Sequence, residues 1–226
     1  MSLGGEKPSP RYAIYGAGGC GRGVLPVAND MLTDRHGVDG FELVFIDDSR
    51  SATTVNGRNV MTYNEFLADD VPARSVAFAI AQSKIRQTLA TRCLDDGIGT
   101  FSITASNSVI MDDVQIGEGA IISPFVTLTS NIRIGRHFHA NLYSYVEHDC
   151  NIGDFVTFAP GVQCNGNVTI EDHAYLGAGC VLRQGRTGEP LVIGRGAVVG
   201  MGAVVTKSVA PNVTVVGNPA RLMGDR

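Results

Sequence analysis

The chain has 226 residues, of which 44% are hydrophobic and 18% charged, with a net charge of −4. That balance excludes a disordered chain. The absence of a basic cluster or a long apolar run argues against a nucleic-acid partner, a membrane partner and a spanning helix. Glycine is over-represented at 28 residues, about 12% against a usual share of about 7%.

Residues 1–10 lack an apolar signal core and read as a flexible leader. Tyr12–Tyr15 is a short apolar strand that runs into Gly16-Ala17-Gly18-Gly19-Cys20-Gly21, and a helix follows over Gly23–Met31. Phe41–Ile46 is a second strand ending at Asp47-Asp48, and Val76–Ala81 is a third. Ser83–Leu94 is an amphipathic helix with Ile85, Leu89 and Cys93 inward, stopped at Gly97, and Thr100–Ile103 is a fourth strand. Alternating strands and helices over residues 11–105 imply a parallel sheet with covering helices, an α/β unit.

The glycine loop fits a dinucleotide fingerprint. Against NAD, however, Asp47-Asp48 come 26 residues after Gly21, and only four strands are evident, where a full dinucleotide fold has about six. What the loop retains is a backbone open to close approach at a helix N-terminus, which favours a phosphate.

Residues 106–226 carry a repeat. Every sixth residue from Ile110 to Leu182 is apolar or small, and a second such series begins four residues later at Val114. Ile116, Ile134 and Ile152 are 18 residues apart. Three hexads per turn describe a triangular coil with corner turns, whose turns stack at about 4.8 Å. The series breaks at Arg183–Leu191, an extruded loop, and resumes at Ile193, Val199 and Val205.

The coil sorts the histidines. His137 and His173 share a column two coils apart, about 9.6 Å, too far for one metal ion. His148 falls at a corner, with Ser130 one coil before it and Gly166 one coil after, small residues that leave space beside a large one. Asp149 sits in the column Asn131–Asp149–Asn167, which by itself is a run of turn residues. The five cysteines are odd in number and form no CxxC, so thiols in a reducing cytoplasm are expected, without disulfides or zinc.

The hexads, the segment Val146-Glu147-His148-Asp149-Cys150-Asn151-Ile152-Gly153 and the tail Val213–Arg221 (VTVVGNPAR) resemble the hexapeptide-repeat acyltransferases. With the first half included, the chain resembles the nucleotide-sugar N-acetyltransferases of the bacillosamine and perosamine type, related to sialic-acid O-acetyltransferases. The resemblance implies an N-terminal Rossmann-like domain followed by a left-handed parallel β-helix, and a homotrimer with active sites between subunits. It implies acetyl-CoA as co-substrate, no metal, and a nucleotide-linked amino-sugar acetylated at a 4-amino group. His148 would be the general base, an imidazole being able to take the amine proton near neutral pH, with Asp149 orienting it. Gly18, Gly19, Cys20, Asp47, Asp48, Ala81, Lys84 and Asn141 would contact the nucleotide-sugar, Ala79–Arg86 matching the family's AIG-x-x-x-x-R segment with Ala81 at the glycine. Thr157 (where the family often has a second histidine), Gly166, Ala178 and Gly202 would contact acetyl-CoA, with Arg183, Arg186 and Lys207 near its phosphates. The sequence leaves open O-acetylation of a sugar, a non-catalytic nucleotide-binding trimer, and the base of the nucleotide.

Overall fold

A computed structural model describes residues 9–49, 52–68 and 71–224; most of the expected leader lies outside the described residues. The first half contains β1 (Arg11–Tyr15), α1 (Gly19–His36), β2 (Glu42–Ile46), β3 (Thr54–Val55), β4 (Arg58–Met61), α2 (Tyr63–Ala68), β5 (Arg74–Phe78), α3 (Ser83–Asp95) and β6 (Gly99–Thr100). The sheet order is β3-β4-β2-β1-β5-β6, parallel except for the β3–β4 hairpin.

Both faces of β1 are buried, which is why its apolar run is continuous. Tyr12 and Ile14 pack with Leu25, Ala28 and Leu32 of α1. Ala13 and Tyr15 pack on the opposite face with Tyr63 and Phe66 of α2 and Cys93 of α3. The α1-side cluster also takes in Phe101, Ile103 and Ile121, so α1 lies between the sheet and the first coils of the second half.

Four expectations for this half need correction. Helix α1 starts at Gly19, not Gly23, because Gly18 holds an extended capping conformation and the helix winds directly out of the loop. Gly21 admits no side chain, since a Cβ there would strike the Gly16 carbonyl oxygen. The third strand ends at Phe78, paired with Tyr15, because β1 turns away into the loop at that point. The expected strand Thr100–Ile103 is divided: β6 closes the sheet at Thr100, and Ile103–Thr104 pairs with Ile121–Ile122 in the first coil. On α3, Cys93 is buried and Leu89 packs against the same cluster as expected, but Ile85 is 47% exposed and the fully buried Arg86 takes the inward place at the start of the helix.

The second half is a three-faced parallel coil. The first face stacks Ile103–Thr104, Ile121–Ile122, His139–Ala140, Thr157–Phe158, Tyr175–Leu176, Val198–Val199 and Thr214–Val216. The second runs from Val109–Ile110 to Val204–Val205, and the third from Val114–Ile116 to Leu191–Ile193. Partners are 18 residues apart, as in His139↔Thr157, until the extruded segment, after which Ile170 pairs with Ile193 and the register resumes. A final strand, Arg221–Leu222, pairs antiparallel with Thr214–Val216.

Both hexad series form one core from Ala120 to Val215. Ile110 is an exception at 41% exposed, because no coil lies beneath it. Corners bring the backbone into the left-handed region at Asn131, Asp149 and Asn167, residues suited to it, and also at Phe125, His137, Tyr143, Phe155 and His173. His137, Phe155 and His173 stack as one column, with centroids 4.9 and 5.4 Å apart, so an aromatic ring fills the gap between the two histidines. Among the described residues, no group of three or more His, Cys, Asp or Glu side chains converges as a metal site, and no helix is long and apolar enough to cross a membrane.

Burial lowers the pKa of His137 to about 4 and lowers those of His139 and His173 as well. The folded state therefore holds these rings neutral, while the unfolded chain takes up protons below a reference value of about 6.5, so stability falls with falling pH. Denaturant midpoints should decline from about pH 6.5 towards pH 4, and His137→Gln should flatten that slope; an unchanged slope contradicts the assignment.

Candidate active site

Residues 147–150 form the corner between the second and third faces. Asp149 takes the left-handed conformation there, with φ 58°. Its Oδ2 lies 2.7 Å from His148 Nδ1, and its Oδ1 accepts a 3.2 Å hydrogen bond from Asn131 Nδ2, one coil below. The hydrogen bond to His148, then that to Asn131, hold the Asp149 carboxyl below the usual carboxylate range, so it is ionised at neutral pH. An ionised carboxylate only accepts, so Nδ1 of the neutral ring carries the proton and Nε2 presents a lone pair. The turn column and the histidine-orienting group are thus one residue.

The space at Gly166 is occupied by the His148 ring itself. A Cβ on Gly166 would lie 2.6 Å from both Cε1 and Nε2. The gap expected for a ligand at this glycine is a seat for the imidazole, whose side chain remains 40% exposed. The extruded segment leaves the same corner one coil further on, with Gly185 N donating to Gly166 O at 2.9 Å. It carries Arg183, bonded to Thr206 O at 3.1 Å, and Arg186, which is exposed.

The glycine loop lies elsewhere. A Cβ on Gly18 or Gly19 would meet nothing within 4 Å, so the start of α1 is open to a ligand. Asp47 is tied to this loop, its Oδ2 accepting from Ala17 N at 3.2 Å. Asp48 is committed internally, accepting from Tyr15 OH at 2.5 Å and from Tyr63 N at 2.8 Å. Cys20 is half-buried, and burial raises its thiol pKa. Asn141 donates its amide to Phe158 O at 2.6 Å, a bond that braces its own corner.

Between α3 and the first face lies a cavity of about 490 Å³, lined by Ala81, Lys84, Thr157, His173, Tyr175 and Val198 among others. It brings together Ala81 and Lys84 of the first half with Thr157 of the second. Ala178 and Gly202 are exposed on a different corner, between the first and second faces. A single chain therefore presents three separate groups: the His148 corner with Gly166, the cavity with Thr157, and the Ala178–Gly202 corner.

Sequence reasoning missed the structural part played by Arg86. Its guanidinium lies in the junction, donating to Ile80 O at 2.6 Å, Phe155 O at 2.8 Å and Thr157 Oγ1 at 3.0 Å. The signal was a charged residue in phase with Cys93 on α3, seven residues away.

Residues 167–207 match the family described as the hexapeptide repeat of succinyl-transferase. The chain is 52% identical over 212 residues to the GDP-perosamine N-acetyltransferase of Escherichia coli O157:H7, covering 94% of this chain and 96% of that protein. Among solved structures it is similar to WeeI from Acinetobacter baumannii AYE, with a TM-score of 0.91, 50% identity, and 95% and 100% of the two chains covered. PerB from Caulobacter crescentus, solved in complex with CoA and GDP-perosamine, shares the fold with a TM-score of 0.77 at 22% identity over 99% of each chain. With sequence likeness across both halves, the chain belongs to the hexapeptide-repeat nucleotide-sugar N-acetyltransferases.

Proposed function

We propose that this protein transfers the acetyl group of acetyl-CoA to the 4-amino group of a GDP-linked amino-sugar, with GDP-perosamine as the substrate. The observation that carries the reading is the His148–Asp149 pair at 2.7 Å, with a free Nε2, in a chain similar throughout to a GDP-perosamine N-acetyltransferase. The amine nitrogen attacks the thioester carbonyl carbon. A C–N bond forms, the amine proton passes to His148 Nε2, and the C–S bond breaks to release the CoA sulfur, which takes up a proton. Asp149 holds the ring with Nε2 outward and stabilises the imidazolium that forms.

In this reading residues 11–105 are a Rossmann-like nucleotide-binding domain and residues 106–226 a left-handed β-helix. The open backbone at Gly18 and Gly19 receives the diphosphate, with Cys20 and Asp47 beside it. Ala81 and Lys84 reach the nucleotide-sugar from the rim of the cavity, and Thr157 faces the acyl donor. Asp48 acts indirectly, by fixing Tyr15 and α2. Asn141 shapes the corner near the acceptor sugar. Ala178 and Gly202 give CoA a path close to the backbone, Gly166 seats the imidazole instead, and Arg183, Arg186 and Lys207 supply cations near the CoA phosphates. Free thiols at all five cysteines suit a reducing cytoplasm.

A homotrimer completes the site. His148 and the cavity sit on different edges of the coil, so a second copy must bring its histidine to the cavity. Phe125 and Tyr143, stacked at 4.9 Å and 51% and 65% exposed, supply apolar surface for that contact.

His148→Ala should lower CoA-thiol release by several orders of magnitude with acetyl-CoA and GDP-perosamine, whereas retained activity removes His148 as the base. Asp149→Asn should lower kcat, since the ring loses the carboxylate that orients it and stabilises the imidazolium formed in the reaction. Gly166→Ala should displace the imidazole and lower kcat at least tenfold with little change in melting temperature. Co-refolding His148→Ala with Gly18→Asp, which places a negative charge where phosphate binds, should restore about a quarter of wild-type activity if neighbouring copies share each site. Self-contained sites would recover none.

A further inference from the structure

We propose that Arg86 is a positioning residue for acyl transfer: it fixes the Thr157 hydroxyl as a hydrogen-bond donor to the acyl carbonyl and couples that donor to the nucleotide-binding segment. The proposal rests on the function proposed above and assigns a device within the same site.

The first observation is the direction of the hydrogen bonds. A guanidinium only donates, so Thr157 Oγ1 must accept the 3.0 Å bond from Arg86 Nη2. The hydroxyl proton of Thr157 is then uncommitted, because no acceptor within hydrogen-bond distance takes it among the described residues. Thr157 is 3% exposed and lines the cavity, whose walls at Ala174 and Val198 are apolar. A hydroxyl that accepts from a cation becomes a stronger donor.

The second observation is what else the guanidinium holds. Its Nη1 donates to Ile80 O at 2.6 Å, the residue before Ala81 on the rim of the cavity. Its Nη2 donates also to Phe155 O at 2.8 Å, two residues before Thr157. One planar group therefore sets the spacing between the segment that meets the nucleotide-sugar and the strand that bears the donor. Burial lowers the Arg86 pKa to about 10, so the group stays charged at neutral pH.

The chemical consequence falls on the carbonyl oxygen of the thioester. As the C–N bond forms, negative charge gathers on that oxygen, and the Thr157 proton, which stays on its own oxygen throughout, stabilises it. Loss of one such donor lowers kcat by about 10²-fold. Thr157 is then a catalytic residue, and Arg86 acts through it.

The test is steady-state kinetics with acetyl-CoA and GDP-perosamine on wild type, Thr157→Val, Thr157→Ser, Arg86→Lys and the double variant Arg86→Lys/Thr157→Val. Thr157→Val should lower kcat by about 10²-fold, leaving the KM for the nucleotide-sugar within about twofold, and Thr157→Ser should restore most of it. Arg86→Lys should lower kcat as well, and the double variant should be no worse than the poorer single one. Multiplicative losses overturn the relay, and so does a Thr157→Val enzyme with wild-type kcat. If Arg86→Lys does not fold, the Thr157 pair decides alone, a loss rescued by serine upholding the donor. Turnover that needs His148 but is indifferent to Thr157 sinks this proposal and leaves the functional reading intact; no wild-type turnover with any nucleotide-linked amino-sugar sinks both.

Discussion

Each coil of the second half must close in 18 residues so that every strand lies over its counterpart, as His139 lies over Ile121 and under Thr157. The core and the site both follow from that constraint. Apolar series fill the interior because two positions of each hexad point inward, and side chains at a corner meet only the residues one coil above and below. The surroundings of His148 are thus set by register: Asn131 reaches Asp149 from below, and Gly166 makes room from above. A one-residue slip would place Asn167 where the imidazole must sit.

The junction of the halves is built on a different principle. α1 joins them with apolar surface, through Phe101, Ile103 and Ile121. Arg86 joins them with charge, and among the described residues no carboxylate pairs with it. Carbonyl oxygens and a hydroxyl take its protons instead, which keeps the cation while adding no second buried ion. Three histidines held neutral beside it avoid a cluster of like charge in the same low-dielectric region.

The coil was legible because a six-residue period sustained from Ile110 to Leu182 leaves little choice, and the observed pairings keep it on both sides of the extruded segment. The orientation of the sheet strands was legible for a similar reason. What escaped was local and short. β3, β4 and α2 have too few residues to show a period: β4 is placed by pairing with β2 and β3 by pairing with β4, while α2 is tied down by Tyr63 N donating to Asp48, which also accepts from Tyr15. On α3, Leu89 and Cys93 were placed correctly, but Ile85 stood in for Arg86 because a buried arginine looks like an exposed one until its acceptors are known. The corner histidine could be placed from the repeat. Its distance from the cavity beside α3 within one chain could not, because that depends on which face the first half covers.

The antiparallel strand Arg221–Leu222 gives the coil an end. A stack of parallel strands exposes at its last turn the same row of N–H and C=O groups that every internal turn uses for pairing, so another coil could dock there and continue the stack into a fibre. Reversing the chain direction on the first face replaces that template with one whose hydrogen-bond spacing does not match a parallel partner. The arginine at the edge adds a charge that a dry contact would have to bury. By this small reversal, a fold whose repeat has no intrinsic limit is given a finite length.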